Sequence, residues 1–260
     1  MIRRYDVVRD APDHRDRGVF RLKAPPALPL SINVEASLGP VKDQGEEGSC
    51  FAFAGAGHRE FLYRNYNRYE KQRDAVPASE AVFAAQYLFY RVHELEGTLH
   101  SDCGGQLRSV FCSLNATGIC LEKDDPYNPA WAWKTPTAEE DVEAARFGAG
   151  AYHRLNSVDD MKSCLASGYA FVAGFAVHAS FESKSWLESG MMPVPGAREA
   201  VLGGHAVLFF GYDDARQAFQ VRNSWGAEWG LGGNFWFPYR VAADESILWD
   251  AWMQHLGKPW

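Results

Sequence analysis

The sequence predicts an α+β fold in which helices and strands occupy separate halves of the chain. Helical hydrophobic spacing dominates up to about residue 150, and short aromatic and β-branched segments bounded by Gly or Asp follow it. The 260 residues are 47% hydrophobic, enough for one large domain. We expect an arm over residues 1–30 and one domain over 31–260, with a helical part over about 31–150 and a β-rich part over about 151–260.

Three helices are predicted in the first half. The first begins after Ser49, which can cap it, so that Cys50 is its first residue. The others are predicted over residues 79–96 and 106–114, whereas the Gly-containing residues 31–49 are predicted as loop and turn. Four strands are predicted in the second half, over residues 169–181, 204–214, 217–225 and 232–240.

Charge and hydropathy argue against two classes of partner. The net charge is −7, and the chain lacks the dense Lys/Arg cluster that binds nucleic acid. It has no run of about 20 apolar residues that could span a membrane, and the charged N-terminus lacks the apolar run of a signal peptide. We therefore expect no nucleic-acid or membrane partner, and a location in the cytoplasm or export without a recognisable signal peptide.

The five cysteines do not form the pattern of a disulfide framework, because their number is odd in a chain of this length. Cys103, Cys112 and Cys120 lie close enough along the chain for a local bridge in an oxidising compartment. Together with His100 they fit no common zinc spacing, and we expect neither a metal nor another cofactor.

Cys50 is a candidate for a reactive thiol. The unpaired backbone N–H groups and the dipole at a helix N-terminus favour an anion. The same N–H groups can stabilise an oxyanion on a carbonyl under attack. The alternative is a buried structural cysteine, the usual state of a free thiol. The transition from loop to helix leaves both alternatives open.

Two further segments supply partners for such a thiol. His205 follows two glycines at the start of an apolar strand in GGHAVLFFGYD. Asn223 ends the next strand in VRNSWGAEWG, where its side-chain carbonyl can accept from a histidine ring N–H and Trp225 can shield that contact. Each signal is weak alone, but Cys, then His, then Asn-Ser-Trp-Gly strongly indicates nucleophilic catalysis.

These segments make the chain similar to the papain-type cysteine peptidases, and to their bacterial, disulfide-poor branch. PVKDQGEEGSCFAFA resembles the family's nucleophile motif, GHAVLFFGYD its histidine motif and VRNSWGAEWG its asparagine motif, within a likeness over about residues 29–240. The resemblance implies a helical left lobe, an antiparallel β-barrel-like right lobe and an active-site cleft between them. It implies a cysteine endopeptidase with a peptide or protein substrate.

The resemblance also implies roles for single residues. Cys50 would be the nucleophile and His205 the acid and base. Asn223 would orient His205, and Gln44 would donate to the oxyanion beside the Cys50 backbone N–H. The substrate-binding positions implied in the same way are Gly104, Gly105, Gly204, Ala173 and Trp225.

Three positions depart from the family pattern. Glu47 stands where many secreted members have a disulfide-forming cysteine, so that bridge cannot form here. Phe51 replaces a family Trp and keeps a ring without the indole N–H. Gly204 also differs from the residue expected before the histidine, although its carbonyl can still accept from a substrate N–H.

The sequence alone leaves two questions open, one about residues 1–30 and one about the reaction. Residues 1–30 are fewer than an inhibitory pro-domain of the secreted enzymes, and they either cross the cleft and inhibit the enzyme intramolecularly as a zymogen or pack on the outer surface. The motifs also do not separate peptide hydrolysis from another Cys-dependent acyl transfer, as in a peptide ligase, transpeptidase or amidase, or from a catalytically silent peptide-binding module.

Overall fold

The computed structural model describes residues 4–14, 16, 27–66, 76–101 and 103–256. The predicted arm over residues 1–30 therefore lies partly outside the described residues. The α-helices of the described residues are α1 (Cys50–Tyr66), α2 (Ala85–Glu96), α3 (Leu107–Ala116), α4 (Ala138–Ala145), α5 (Val158–Ala166) and α6 (Tyr239–Ala242).

The strands of these residues form one antiparallel sheet. They are β1 (Ser31–Asn33), β2 (Tyr152–Leu155), β3 (Phe171–His178), β4 (Val201–Asp213), β5 (Ala218–Arg222), β6 (Asn234–Pro238) and β7 (Leu248–Gln254). The order across the sheet is β2-β7-β3-β4-β5-β6, and β1 pairs with β4. The predicted α+β fold, with a helical part and an antiparallel sheet, is confirmed.

Helix α1 lies at the centre of the helical part. Every residue from Cys50 to Tyr63 is buried except Gly57, so this stretch has no solvated face. A Cβ added to Gly55 would lie 2.4 Å from Val110 Cγ1 on α3 and 2.9 Å from Leu88 Cδ2 on α2. The missing side chain therefore lets α1 approach both neighbouring helices closely.

Strand β4 joins the two hydrophobic cores. Ala206 and Leu208 belong to the cluster that contains the apolar residues of α1, α2 and α3. Val207 and Phe209, which alternate with them, belong to a second cluster inside the β-rich part. Because successive side chains of a strand point to opposite faces, β4 is held from both sides. Each such fully buried Leu, Val or Phe contributes about 1.5–3 kcal/mol.

The predicted start of the second helix is wrong. Helix α2 begins at Ala85 rather than at Ser79. The intervening residues form a turn, and Phe83 then pairs with Leu121 in an isolated bridge. The Phe83 N–H donates to Glu60 Oε1 of α1 at 2.9 Å. These contacts join distant parts of the chain, so local hydrophobic spacing cannot reveal them.

Several elements were not predicted, namely β1, α4, β2, α5, α6 and β7. Helix α4 carries a readable start signal: Thr137 accepts from the Glu140 N–H at 3.2 Å, and Glu140 Oε2 accepts from the Thr137 N–H at 2.7 Å. Residues 31–33, predicted as loop, pair with β4. Helix α5 lies between β2 and β3, so the second half mixes helices and strands more than predicted.

The state of the cysteines and the length of the helices bear on the expectations about disulfides and membranes. All five cysteines are described, and all are free thiols. The local bridge considered for Cys103, Cys112 and Cys120 is therefore not formed. Within the described part of the chain, the helices are too short or too polar to span a bilayer.

Candidate active site

Helix α1 begins at Cys50, as predicted. Burial raises the pKa of the Cys50 thiol to about 12, and the negative charge of Asp6 adds to this rise. Hydrogen bonds from the backbone of Ala206, Phe51 and Cys50 to the sulfur act in the opposite direction. With this pKa the Cys50 thiol is protonated at neutral pH, although it lies at a helix N-terminus that favours the thiolate.

His205 and Asn223 come from neighbouring strands. Leu208 of β4 lies opposite Arg222 of β5, which brings Asn223, just beyond β5, alongside His205. His205 Nε2 lies 2.8 Å from Asn223 Oδ1, and both side chains are buried. Oδ1 also accepts from the Ser224 N–H at 2.8 Å, which fixes the orientation of the amide. Nε2 therefore donates, and Nδ1 is the basic nitrogen of the neutral ring.

Cys50 lies where α1 approaches β4, beside the residue that follows His205. Ala206, the next residue after His205, hydrogen bonds through its backbone with the Cys50 sulfur. The Trp225 ring lies over His205, with 4.8 Å between ring centroids and 32° between planes. Trp225 is only 6% exposed, so it shields the contact between His205 and Asn223 from water.

Gln44 is fixed in the loop before α1. Its backbone N–H donates to Ser224 O at 2.9 Å. Its Oε1 accepts from Ser224 Oγ at 2.5 Å, and its Nε2 donates to Glu47 O at 2.8 Å. One backbone bond and two side-chain bonds thus hold Gln44 next to the segment that carries Asn223.

Tyr127 is a supporting residue that sequence reasoning missed. Its hydroxyl donates to Gln44 O at 2.6 Å and lies 2.9 Å from Glu47 Oε2 and 3.3 Å from Ser49 Oγ. Burial raises the pKa of the Glu47 carboxyl, against hydrogen bonds from Tyr127 and Ser49. This polar cluster braces the loop at the position where the resemblance had implied a disulfide in secreted enzymes. No local signal marks Tyr127, because its partners lie about 80 residues earlier in the chain.

Residues 5–8 of the arm cross from β4 to the loop before α3. The Val7 N–H donates to Gly204 O at 3.1 Å, and the Gly204 N–H donates to Tyr5 O at 3.0 Å. The Val8 N–H donates to Gly105 O at 3.4 Å. Gly204 O thus accepts an N–H from the arm, which is the role expected of it toward a substrate.

Glycines make room for this segment. A Cβ on Gly104 would lie 1.6 Å from Asp6 O, and a Cβ on Gly204 would lie 2.3 Å from Val7 O. A Cβ on Gly48 would lie 2.7 Å from Asp6 Oδ2, which places that carboxylate beside the start of α1. A side chain at Gly104 or Gly204 would collide with the backbone of the arm.

Comparison with known proteins shows the family to which the chain belongs. The model of the family described as papain family cysteine protease matches residues 28–246. The chain belongs to the papain family of cysteine proteases. It is therefore a hydrolase of peptide bonds.

Individual papain-family relatives agree with this assignment. The uncharacterized peptidase C1-like protein L477 of Acanthamoeba polyphaga mimivirus is 31% identical over 248 residues, covering 91% of this chain and 74% of that protein. The gamete and mating-type specific protein A of Dictyostelium discoideum is 27% identical over 210 residues, and the chain spans only 41% of its length. The crystal structure of xylellain, a cysteine protease from Xylella fastidiosa, superposes with a TM-score of 0.86 at 30% identity, covering 97% of this chain and 96% of that one.

The positions expected from the papain-family resemblance separate into two groups. Gly104, Gly105 and Gly204 line the passage taken by the arm, and Trp225 covers His205. Ala173 does not reach this passage.

Ala173 is fully buried in the core of the β-rich part, because its side chain points to the inner face of β3. The next residue, Gly174, points to the other face, where a Cβ would lie 2.7 Å from Trp249 Nε1. Trp249 also contacts Gly204, since a Cβ there would lie 3.2 Å from Trp249 Cζ2. Gly174 and Trp249, rather than Ala173, therefore adjoin the passage in this papain-family protein.

The histidine and cysteines that fit no zinc spacing lie in separate surroundings. The His100 ring contacts the Trp133 ring, the Cys112 sulfur lies 2.8 Å from the Tyr152 hydroxyl, and Cys120 is buried. Across the described ranges, no three His, Cys, Asp or Glu side chains are grouped so that they could hold a metal ion.

Asp10 anchors the arm beyond the passage. The Asp10 N–H donates to Asp250 Oδ2 at 2.7 Å, and Trp252 Nε1 donates to Asp10 Oδ2 at 2.7 Å. The Arg108 N–H donates to Asp10 Oδ1 at 3.1 Å. Burial, with the charge of Asp250 as a second cause, raises the pKa of Asp10 to about 6. The arm is therefore fastened to β7 and α3 as well as to the glycines.

Proposed function

We propose that this protease acts through Cys50, His205 and Asn223 with a thioester acyl-enzyme, and that residues 5–8 hold it inactive until the arm is displaced. One observation carries the proposal. The arm bonds to Gly204 and Gly105, its Asp6 carboxylate lies beside the start of α1, and Cys50 there is 0% exposed. The same N–H and carbonyl groups would otherwise be available to a peptide substrate.

Displacement of the arm changes the state of the nucleophile. Cys50 then regains contact with water and loses the nearby Asp6 carboxylate, the two causes that raise its pKa. The helix N-terminus and a protonated His205 then favour the thiolate. The proton of the thiol passes to His205 Nδ1, while Nε2 stays bonded to Asn223.

Acylation follows from this ion pair. The Cys50 sulfur attacks the carbonyl carbon of the peptide, and its electron pair forms the C–S bond. The oxyanion accepts from the Cys50 backbone N–H and from the second N–H of Gln44 Nε2, whose first N–H is bonded to Glu47 O. The C–N bond breaks as His205 gives its proton to the leaving amine, and a thioester remains.

Hydrolysis of the thioester restores the enzyme. His205 Nδ1 accepts a proton from water, whose oxygen attacks the thioester carbon. The C–S bond breaks and its electron pair returns to sulfur, so the product leaves as a carboxylic acid and Cys50 again pairs with protonated His205. Asn223 keeps the ring in one orientation through both steps, and Trp225 keeps water from that bond.

The strength of the block can be estimated from its contacts. The arm forms three backbone hydrogen bonds with the two glycines. At about 1 kcal/mol each, they favour the covered state by about 3 kcal/mol, a ratio of about 100. The buried contacts of Val7 and Asp10 add to this value.

Cleavage of the arm is expected to raise peptide hydrolysis by about 100-fold. The measurement compares kcat/KM of the full chain with that of residues 28–260 on a peptide–coumarin substrate. Val7→Pro in the full chain is a second route, because it removes the N–H that bonds to Gly204. Val7→Ala is the matched control that keeps this N–H and should activate less. Equal rates for the full and trimmed chains, with Val7→Pro also unchanged, would contradict the block.

A further inference from the structure

The arm seats an arginine side chain in a cradle beside the passage. Arg9 directly follows the arm residues that bond to the glycines, and its Cζ lies 4.5 Å from the centroid of the Trp249 ring. Arg9 Nη2 donates to Glu245 O at 2.6 Å and to Ser246 O at 3.2 Å. We name these partners, the Trp249 ring with the carbonyls of Glu245 and Ser246, the guanidinium cradle.

We propose that the guanidinium cradle is a subsite for an arginine side chain of the peptide substrate, and that Arg9 fills it while the arm covers the cleft. The inference rests on the proposed function, because a substrate reaches the cradle only when the arm has left. It adds a substrate class, namely peptides with arginine at one position before the scissile bond.

The cradle is continuous with the backbone that binds the arm. Trp249 of β7 pairs with Gly174 of β3, and its ring lies against both Gly174 and Gly204. Gly204 is the residue that exchanges two backbone hydrogen bonds with the arm. A peptide bonded to Gly204 in place of the arm therefore lies next to the Trp249 ring.

The two carbonyls of the cradle are held in place. Asp244 Oδ1 accepts from the Ser246 N–H at 2.9 Å and from Ser246 Oγ at 2.6 Å. Asp244 O accepts from the N–H groups of Ile247 and Leu248, both at 2.9 Å. These bonds fix the turn, so the carbonyls of Glu245 and Ser246 are directed at Arg9 before any ligand binds.

The surroundings favour a cation. A cavity of about 580 Å³ adjoins the cradle. Its charged wall residues are Asp159, Glu245, Asp250 and Arg154, besides Arg9 and Asp10 of the arm. Arg154 is paired with Asp250. When the arm leaves, three carboxylates face one guanidinium, so a positive side chain is attracted to the place of Arg9.

The geometry suits arginine better than other side chains. A planar guanidinium can stack on an indole ring and donate to two neighbouring carbonyls at the same time. A lysine ammonium is a compact charge without this planar fork, and a neutral side chain gains neither the charge nor the cation–π contact. The cradle therefore distinguishes arginine from citrulline, which has nearly the same shape and no charge.

The test uses the full chain carrying Arg9→Ala, which empties the cradle. Pairs of peptide–coumarin substrates place either arginine or citrulline at each position before the scissile bond in turn. The ratio of kcat/KM within a pair is the readout, because displacement of the arm contributes equally to both members. We expect one position at which arginine is preferred by about 10-fold or more.

Variants of Trp249 test whether the preference for arginine comes from this subsite. Adding Trp249→Leu should reduce the ratio at that position to about 1, since the cation–π surface is lost. Trp249→Phe keeps an aromatic face and should keep most of the preference. Absence of an arginine preference at every position, or a preference that Trp249→Leu leaves unchanged, would overturn the inference. Failure to cleave any peptide, both by the Arg9→Ala chain and by residues 28–260, which lack the arm, would overturn the proposed function, and this inference with it.

Discussion

Cys50→Ala is expected to abolish peptide hydrolysis, lowering kcat by on the order of 10⁵-fold or more. The substitution removes the only protein atom in the proposed mechanism that bonds to the acyl carbon of the substrate. The measurement is kcat on a peptide–coumarin substrate with residues 28–260, in which the arm no longer competes. Because Cys50 lies at the first turn of a helix and is small, alanine should leave the fold intact.

Cys112→Ala is the matched control. Cys112 lies on α3, where its sulfur contacts the Tyr152 hydroxyl, outside the proposed machinery. This variant should keep the activity of the parent chain within a few-fold. An active Cys50→Ala variant, or loss of activity with Cys112→Ala instead, would show that another thiol carries the reaction.

Acid is expected to unfold the protein through buried histidines. Burial lowers the pKa of His58 to about 3, and lowers those of His93 and His255 to about 4. His58 and His93 are 0% exposed, and His255 is 3% exposed. In the unfolded chain each titrates near pH 6.5.

These pKa values decide whether the folded protein gains or loses stability as the pH falls. The unfolded state takes up protons below about pH 6.5, while the folded state resists them until about pH 4 or below. The stability that each neutral histidine contributes is therefore present above pH 6.5 and is lost as the pH falls. At pH 4, His58 alone should cost about 3 kcal/mol of the free energy of unfolding. Buried carboxyls such as Asp10, whose pKa is raised, act in the opposite direction.

A substitution isolates the histidine contribution. His58→Gln keeps a polar side chain without a titrating ring, and it should reduce the loss of stability between pH 7 and pH 4 by about 3 kcal/mol. Urea unfolding at several pH values, followed by tryptophan fluorescence, gives the slope of the free energy of unfolding against pH. His14→Gln changes an exposed side chain and should have the slope of the native protein. Parallel slopes for His58→Gln and the native chain would refute this account.

The sequence could predict those parts of the site that rest on local chemistry. Cys50 at a helix start, His205 after two glycines and Asn223 before a tryptophan each leave a pattern within a few residues. The α+β class followed in the same way from spacing along the chain. Hydrophobic spacing also predicted α3 closely, and aromatic and β-branched segments bounded by Gly or Asp predicted the four strands closely.

Other parts of the site could not be predicted from the sequence, because they depend on contacts between distant residues. Tyr127 reaches Gln44 across 83 positions, and no pattern near Tyr127 records that bond. Neighbouring residues of β3 point to opposite faces of the sheet, so an error of one residue selects the wrong face. Gly174 rather than Ala173 adjoins Trp249. The path of the arm depends on room left by Gly104 and Gly204, which becomes visible only when the two segments are seen together.

The most direct test of the central claim is the rate at which iodoacetamide labels each cysteine, followed by mass spectrometry of the peptides. In the full chain, the thiol beneath the arm should be labelled slowly. After cleavage before residue 28, Cys50 should become the first of the five to react, with a rate about 100-fold higher. Rapid labelling of Cys50 in the full chain, or preferential labelling of another cysteine after cleavage, would contradict a nucleophile covered by its own N-terminal arm.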